Sequence, residues 1–247
     1  MFVLIMKVLK IMVTLSAGLV MLFTSSAAVA TGLQVTPLSV ELAENAKATE
    51  MWLLNTKSMA IDAQIRLYQW DQRENKDVLL PTSSLIISPP FTKIPPGGKQ
   101  LVRVIRGKQS DNSSPLEAYR IVVNELPAPS TKEKGVDFVM EYSLPVFVLH
   151  RPVDKTSQTT LLSLIKKEGK HFIRVVNTGA YISHLYDIHY IAPTGKKYPL
   201  RLSGLGYVLP GKEMEWDSGL NSAVIHNGGS IEFMQSGIKH TQLINLR

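Results

Sequence analysis

The stretch Val136-Asp137-Phe138-Val139-Met140-Glu141-Tyr142-Ser143-Leu144-Pro145-Val146-Phe147-Val148-Leu149 decides the fold. Phe138, Met140, Tyr142, Leu144, Val146 and Val148 fall on one face of a period-two pattern, and Val139, Glu141, Ser143, Pro145, Phe147 and Leu149 on the other. That alternation is the mark of a β-strand. Both faces are partly apolar. Pro145 has no N–H to give to a ladder, so it points to an edge strand; the alternative is an ordinary core strand with Pro145 at a bulge. A long apolar edge invites pairing with another chain unless charge blunts it, and this edge is not blunted.

Working outward, the sequence reads as strands on both sides. Upstream, Leu33, Val35, Leu38, Val40 and Leu42 give a short pattern with a phase change near Pro37. Met51 to Asn55 gives another. Ile61, Ala63, Ile65 and Leu67 alternate with Asp62, Gln64, Arg66 and Tyr68, as in a half-buried strand. Residues 85–87, 101–106 and 119–123 follow, separated by Pro89-Pro90, Pro95-Pro96-Gly97-Gly98 and Asp111-Asn112-Ser113-Ser114-Pro115. Downstream, residues 161–166, 172–176, 182–191, 198–202, 214–216, 230–234 and 242–246 are strand candidates. No segment holds a 3.6-residue period, so the expectation is an antiparallel all-β architecture.

The two halves repeat a theme. A strand ends in Asn (Asn55, Asn177), a long alternating strand follows, and Pro-Gly (Pro96-Gly97, Pro210-Gly211) precedes a further strand. The spacing predicts two immunoglobulin-like β-sandwich domains in tandem, over residues 31–153 and 154–247. Residues 1–30 read as a cleaved signal peptide: Lys7 and Lys10, an apolar run from Ile11 to Phe23, then small residues ending Ala28-Val29-Ala30. The run is too short to span a bilayer comfortably and no later stretch is long enough. The mature protein is therefore expected to be exported, without a membrane span.

Charge and chemistry narrow the function classes. The 247 residues carry a formal net charge of +7, which falls to +5 once Lys7 and Lys10 are removed. That charge is spread along the chain, with no long basic run and no nucleic-acid module. There are no cysteines. The six histidines, His150, His171, His184, His189, His226 and His240, do not pair at a helical zinc spacing. His184 and His189, five apart in a strand, are expected on opposite faces. There is no Gly-x-Ser-x-Gly elbow, and Gly204-Leu205-Gly206 lacks the third glycine of a phosphate loop. Asp71, Glu74 and Asp77 sit near a turn and read as solvated. No enzyme, metal or cofactor is expected.

Several segments, taken in order, carry a family likeness. They are Val35-Thr36-Pro37-Leu38-Ser39-Val40, Leu53-Leu54-Asn55, Ile94-Pro95-Pro96-Gly97, Leu101-Val102-Arg103-Val104, Tyr119-Arg120 with Asn124-Glu125-Leu126-Pro127, Tyr142-Ser143-Leu144-Pro145-Val146-Phe147, Arg151-Pro152, Val176-Asn177 and Leu209-Pro210-Gly211. With these the chain resembles the periplasmic pilus-assembly chaperones of the chaperone–usher pathway, the PapD-like fold, and among them the non-classical, archaic branch.

The resemblance implies a periplasmic chaperone that lends an edge strand to a pilus subunit whose sandwich lacks one, and delivers it to an outer-membrane usher. It implies that Phe138, Met140, Tyr142 and Leu144 are the donor set. Better-known relatives bind the subunit's terminal carboxylate with an arginine and a lysine; Ser39 and Phe147 stand at those positions here. The cations left on adjacent strand candidates are Arg103, Arg106 and Arg120, each otherwise a solvated strand-face arginine. The polar loop from Pro127 to Gly135 is either a segment that orders on a subunit or a plain surface loop. The alternative function is an exported β-sandwich adhesin or a structural pilus subunit.

Overall fold

The computed structural model describes residues 32–107, 114–127, 139–155, 160–200, 206–225 and 228–244. The signal-peptide reading, Phe138, and the loop reading beyond Pro127 lie outside them. Among the described residues there is no α-helix, and no helix long and apolar enough to cross a membrane.

Ten strands build the first sandwich. They are β1 (Leu33–Thr36), β2 (Val40–Leu42), β3 (Ala48–Asn55), β4 (Ile61–Arg73), β5 (Lys76–Pro81), β6 (Leu85–Ser88), β7 (Phe91–Ile94), β8 (Lys99–Arg106), β9 (Leu116–Leu126) and β10 (Glu141–Leu149). One sheet runs β1-β3-β8-β6; the other runs β2-β10-β9-β4-β5, with β7 also on β4. The period-two pattern dictates which side chains meet between them. Ile61, Ala63 and Ile65 of β4, Tyr119, Ile121 and Val123 of β9, and Leu144, Val146 and Val148 of β10 face Leu33, Met51, Leu53, Val102 and Val104 of the opposite sheet. The chain changes sheets at Pro37: β1 is antiparallel to β3, whereas β2 is parallel to β10.

The second sandwich comprises β11 (Thr160–Lys167), β12 (Lys170–Asn177), β13 (Ser183–Ile191), β14 (Lys197–Pro199), β15 (Tyr207–Val208), β16 (Glu213–Asp217), β17 (Ser230–Gln235) and β18 (Ile238–Leu243). Its sheets are β11-β12-β16 and β14-β13-β17-β18, with β15 on β13. Leu164, Ile173, Val175, Tyr190, Ile231 and Phe233 fill its core.

The repeated asparagines have a physical reason. Asn55 is fully buried; its amide donates to the carbonyls of Met59 (2.8 Å), Ile94 (2.9 Å) and Pro95 (3.1 Å) and its oxygen accepts from Lys57 N–H (2.8 Å). Asn177 donates to Tyr181 (2.8 Å) and Val208 (2.9 Å) and accepts from Gly179 N–H (2.9 Å). Each ties a strand end to backbone groups that burial would otherwise leave unpaired.

A third apolar cluster joins the sandwiches. Trp70, Leu116, Ala118, Phe147 and Leu149 of the first pack with Leu209 of the second. The Gln72 carboxamide, 4% exposed, bonds like a peptide group: its amide donates to Tyr207 O (2.9 Å) and its oxygen accepts from Leu209 N–H (2.9 Å). Polar ties border the cluster, from Lys212 to Asp71 (2.7 Å) and from Lys155 (2.7 Å) and the Tyr181 hydroxyl (2.8 Å) to Glu41.

Three sequence expectations change. The strand expected over residues 136–149 is β10, beginning at Glu141, and the one expected over 242–246 is β18, ending at Leu243. Strands β5 and β7 were not foreseen; β7 is four residues between two proline pairs. His184 and His189 do not face opposite ways. Asp187, at φ 51°, sits in a bulge that slips the register between Tyr186 and His189. Leu185 and Ile188 are both buried, so His184 and His189 share the outer face.

Candidate functional site

Strand β10 is paired on both sides over only part of its length. β9 covers it from Glu141 to Leu149, but β2 covers Val146, Phe147 and Val148 alone. Among the described residues nothing pairs with the outer edge of residues 141–144. Glu125 N–H donates to Met140 O (2.8 Å) and His150 N–H to Pro115 O (3.0 Å). In an antiparallel pair the backbone groups of alternate residues point the same way, so the even residues of β10 bond β9. The N–H groups and the carbonyls of Glu141 and Ser143 are left to the open edge. The missing N–H of Pro145 therefore breaks no bond to β9, and an edge-strand proline is what the geometry holds.

The side chains of this segment divide. Leu144 is 4% exposed in the first core. It is not free to fill another protein's pocket, a correction to the expected donor set. Tyr142 is half-buried against the same core and its hydroxyl donates to Leu33 O (2.5 Å). Met140 (40% exposed) and Val139 (50%) carry the apolar pattern beyond the core's end. The even face of β10 thus plugs its own sandwich at one end and projects apolar surface at the other.

The three arginines also separate. Arg103 lies on the outer face of the β1-β3-β8-β6 sheet, 3.9 Å from Glu50, with both side chains exposed. Its neighbours Val102 and Val104 enter the core, so Arg103 points away from β10. Arg106 is committed to backbone: it donates to the carbonyls of Ala43 (3.1 Å), Leu149 (3.2 Å) and Ala46 (3.3 Å), and meets His150 Nδ1 at 3.2 Å.

Arg120 is placed differently. It sits opposite Pro145 in the β9–β10 ladder, at the inner end of the open edge. It is 4% exposed on the face that joins the sandwiches. Its guanidinium lies 3.7 Å over the Trp70 ring and 5.6 Å from the Tyr207 ring, a favourable place for a cation against ring faces. Asp77 is the nearest carboxylate, at 4.0 Å from Nη2, too long for a hydrogen bond. Nη1 is buried with no hydrogen-bond partner among the described residues. Burial lowers the affinity of this group for its proton, and Asp77 partly offsets that. A buried arginine with an unused donor edge is suited to grip an incoming carboxylate with two parallel bonds.

The residues around Arg120 were not singled out from sequence. Trp70 ends the alternating run of β4, and its Nε1 donates to Asp77 (2.9 Å). Asp77, read as solvated, also accepts from Gln72 Nε2 (3.0 Å) and serves as the distant counter-ion. Tyr207 comes from the second sandwich. Gly206 places it: at φ +64°, with a Cβ position only 2.2 Å from Leu185 O, it can be no other residue. That glycine, set aside as half a phosphate loop, was the one available signal. Among the described residues there is no cluster of metal ligands.

Residues 32–154 match the family of pili and flagellar-assembly chaperones at its PapD N-terminal domain. No curated protein matches the chain by sequence. Among solved structures, a chain of the CsuC-CsuE chaperone–tip subunit pre-assembly complex, from the archaic chaperone-usher Csu pili of Acinetobacter baumannii, aligns with TM-score 0.67 and 23% identity over 87% of this chain and 99% of that one. The YadV chaperone aligns with TM-score 0.64 and 15% identity over 85% and 98%. The CupB2 chaperone of Pseudomonas aeruginosa aligns with TM-score 0.61 and 16% identity over 87% and 100%. At these identities the likeness is one of fold, and it extends through both sandwiches. The chain belongs to the family of PapD-like pilus-assembly chaperones.

Proposed function

We propose that the protein captures a pilus subunit in the periplasm by adding residues 139–145 to it as a strand, anchors the subunit's terminal carboxylate on Arg120, and passes it to an outer-membrane usher. The open edge of β10 carries this reading. Unpaired N–H and C=O groups on an open edge, here with Glu141 as its one charged side chain, are a template for another chain. Capture satisfies them and covers Met140 and Val139 together. Burying one large apolar side chain contributes about 1.5–3 kcal/mol, so the projecting apolar end supplies affinity. Arg120 supplies position: a carboxylate held opposite Pro145 fixes where the added strand begins. Family membership supports the pilus subunit as partner, and export and delivery to an usher follow from the same kinship.

Met140→Asp tests the reading more cleanly than a change at Tyr142, which is tied to its own core. The full chain is co-exported with a pilus subunit of its own host and recovered from the periplasm. The expected result is a folded variant that no longer co-purifies with the subunit. Undiminished recovery of the subunit would overturn the proposal.

A further inference from the structure

The start of the open edge is gripped from β9. Glu125 ends the core-facing row of Tyr119, Ile121 and Val123, where packing alone would call for an apolar side chain. It is instead a carboxylate, 7% exposed and ion-paired with Lys57. Glu125 lies opposite Met140, one row beyond Glu141 and Asn124. In a regular ladder two such residues exchange both bonds through their backbones. Here Glu125 N–H donates to Met140 O (2.8 Å), but Met140 N–H donates to the Glu125 carboxylate (3.3 Å). The side chain thus ends the ladder and still holds the residue beyond it. Asn124 acts on the opposite face: its amide donates to the Glu141 carboxylate, and its oxygen accepts from Arg66 (2.7 Å). The charge at the open edge is thereby drawn over β9. Lys57 is itself placed by the Asn55 oxygen, which accepts from its N–H (2.8 Å). Asn177 bonds Gly179 in the same way, so at the equivalent place the second sandwich has no cation.

Resting on the reading of residues 139–145 as an added strand, we propose that Glu125 is a positioning residue for capture, with Asn124 beside it. Glu125 fixes Met140 extended at the rim of the sandwich, so the edge groups of Glu141 and Ser143 are aligned before a partner arrives. A chain ordered in advance costs a partner less to bind. Ordering one residue's backbone is worth about tenfold in an equilibrium constant. The Glu125–Lys57 pair is poorly explained as a stabiliser, since taking a carboxylate out of water offsets most of what the pair returns. A hydrogen bond to a charged acceptor is stronger than one between neutral groups, which suits a tie that stands alone past the ladder's end. The tie leaves the Met140 side chain 40% exposed, held in place and still open to the partner.

The test compares Glu125→Gln, whose amide oxygen can still accept from Met140 N–H, with Glu125→Met, which has similar length and no such acceptor. For each full chain, amide exchange in the free protein, the urea midpoint, and periplasmic recovery of a co-exported pilus subunit of its own host are measured. Glu125→Met is expected to keep the parent's urea midpoint, to speed exchange at Met140 at least about tenfold, and to lower subunit recovery about tenfold. Glu125→Gln is expected to stay within about threefold of the parent in exchange and recovery. Full recovery with Glu125→Met, or equal losses in both variants, overturns the proposal. So does unfolding of Glu125→Met, which would make the carboxylate structural. Exchange in the parent's complex reports separately on strand addition: if Glu141 and Ser143 stay unprotected there, strand addition itself fails, whereas protected edge groups with undiminished recovery in Glu125→Met remove only this inference.

Discussion

The Arg120 guanidinium lies 3.7 Å over the ring of Trp70, in the ladder row that it shares with Pro145. The row marks the point where β10 stops being covered by β2 and its outer edge opens. A buried, under-bonded cation and an unpaired backbone edge therefore begin at the same place. Neither is needed to hold the first sandwich together, since Tyr119, Ile121 and Val123 alternate with Arg120 to fill its core from the other face of β9.

Because Arg120 serves capture rather than folding, Arg120→Met is expected to leave stability within about 1 kcal/mol of the parent, or to raise it, as when an apolar side chain replaces a buried charge. Subunit recovery should fall at least about tenfold, and Arg120→Lys should restore little of it because ammonium lacks the two-pronged geometry. Urea unfolding and co-purification check the two halves of the expectation. A variant that unfolds would make the cation structural.

Leu144 and Met140 share one face of the same segment but belong to different bodies. Leu144→Ala should cost about 2–5 kcal/mol of stability, as a cavity in a packed core does. Met140→Ala should cost less than about 0.5 kcal/mol, as at an exposed position, yet weaken subunit capture. Urea midpoints of the two variants, compared with their subunit recovery, check this inversion.

Gln72 joins the sandwiches through the backbone of Tyr207 and Leu209. Gln72→Ala leaves a carbonyl and an N–H unpaired at a buried seam, at a cost of about 1–3 kcal/mol. Calorimetry is expected to show the second sandwich melting earlier and apart from the first.

Tyr119, Tyr181 and Tyr207 have phenols whose proton affinity is raised, first by burial and, for Tyr119 and Tyr181, also by hydrogen bonds to Glu117 and Glu41. A raised value in the folded state means stability that is complete below the unfolded phenol value of about 10 and is lost as pH rises through the folded values. Tyrosinate absorbance should therefore show these groups ionising late, together with loss of structure above about pH 10.

The strands and the paired sandwiches were legible because period two and turn residues act locally: Ile61, Ala63 and Ile65 announce a buried face whatever lies across from it. The repeated Asn55 and Asn177 were legible for the same reason, each bonding its own turn. The donor segment was only half legible. Phe138, Met140, Tyr142 and Leu144 share one phase, and nothing in that phase tells where the sandwich's own core ends; the answer lies in β2, a hundred residues away in sequence, which stops covering β10 at Val146. The Arg120 site was legible in its cation but not in its surroundings, because Trp70, Asp77 and Tyr207 come from three strands and two sandwiches. The bulge at Asp187, which turns His189 to the face that holds His184, leaves no pattern in sequence, since it amounts to one residue out of step.

The open edge is tested most directly by amide hydrogen exchange along β10, in the free protein and in its complex with a pilus subunit. The account predicts that in the free protein the N–H groups of Tyr142 and Leu144, which face β9, exchange slowly while those of Glu141 and Ser143 exchange fast, and that the latter become protected when a subunit is bound. Slow exchange at Ser143 in the free monomer, or fast exchange there in the complex, would contradict it.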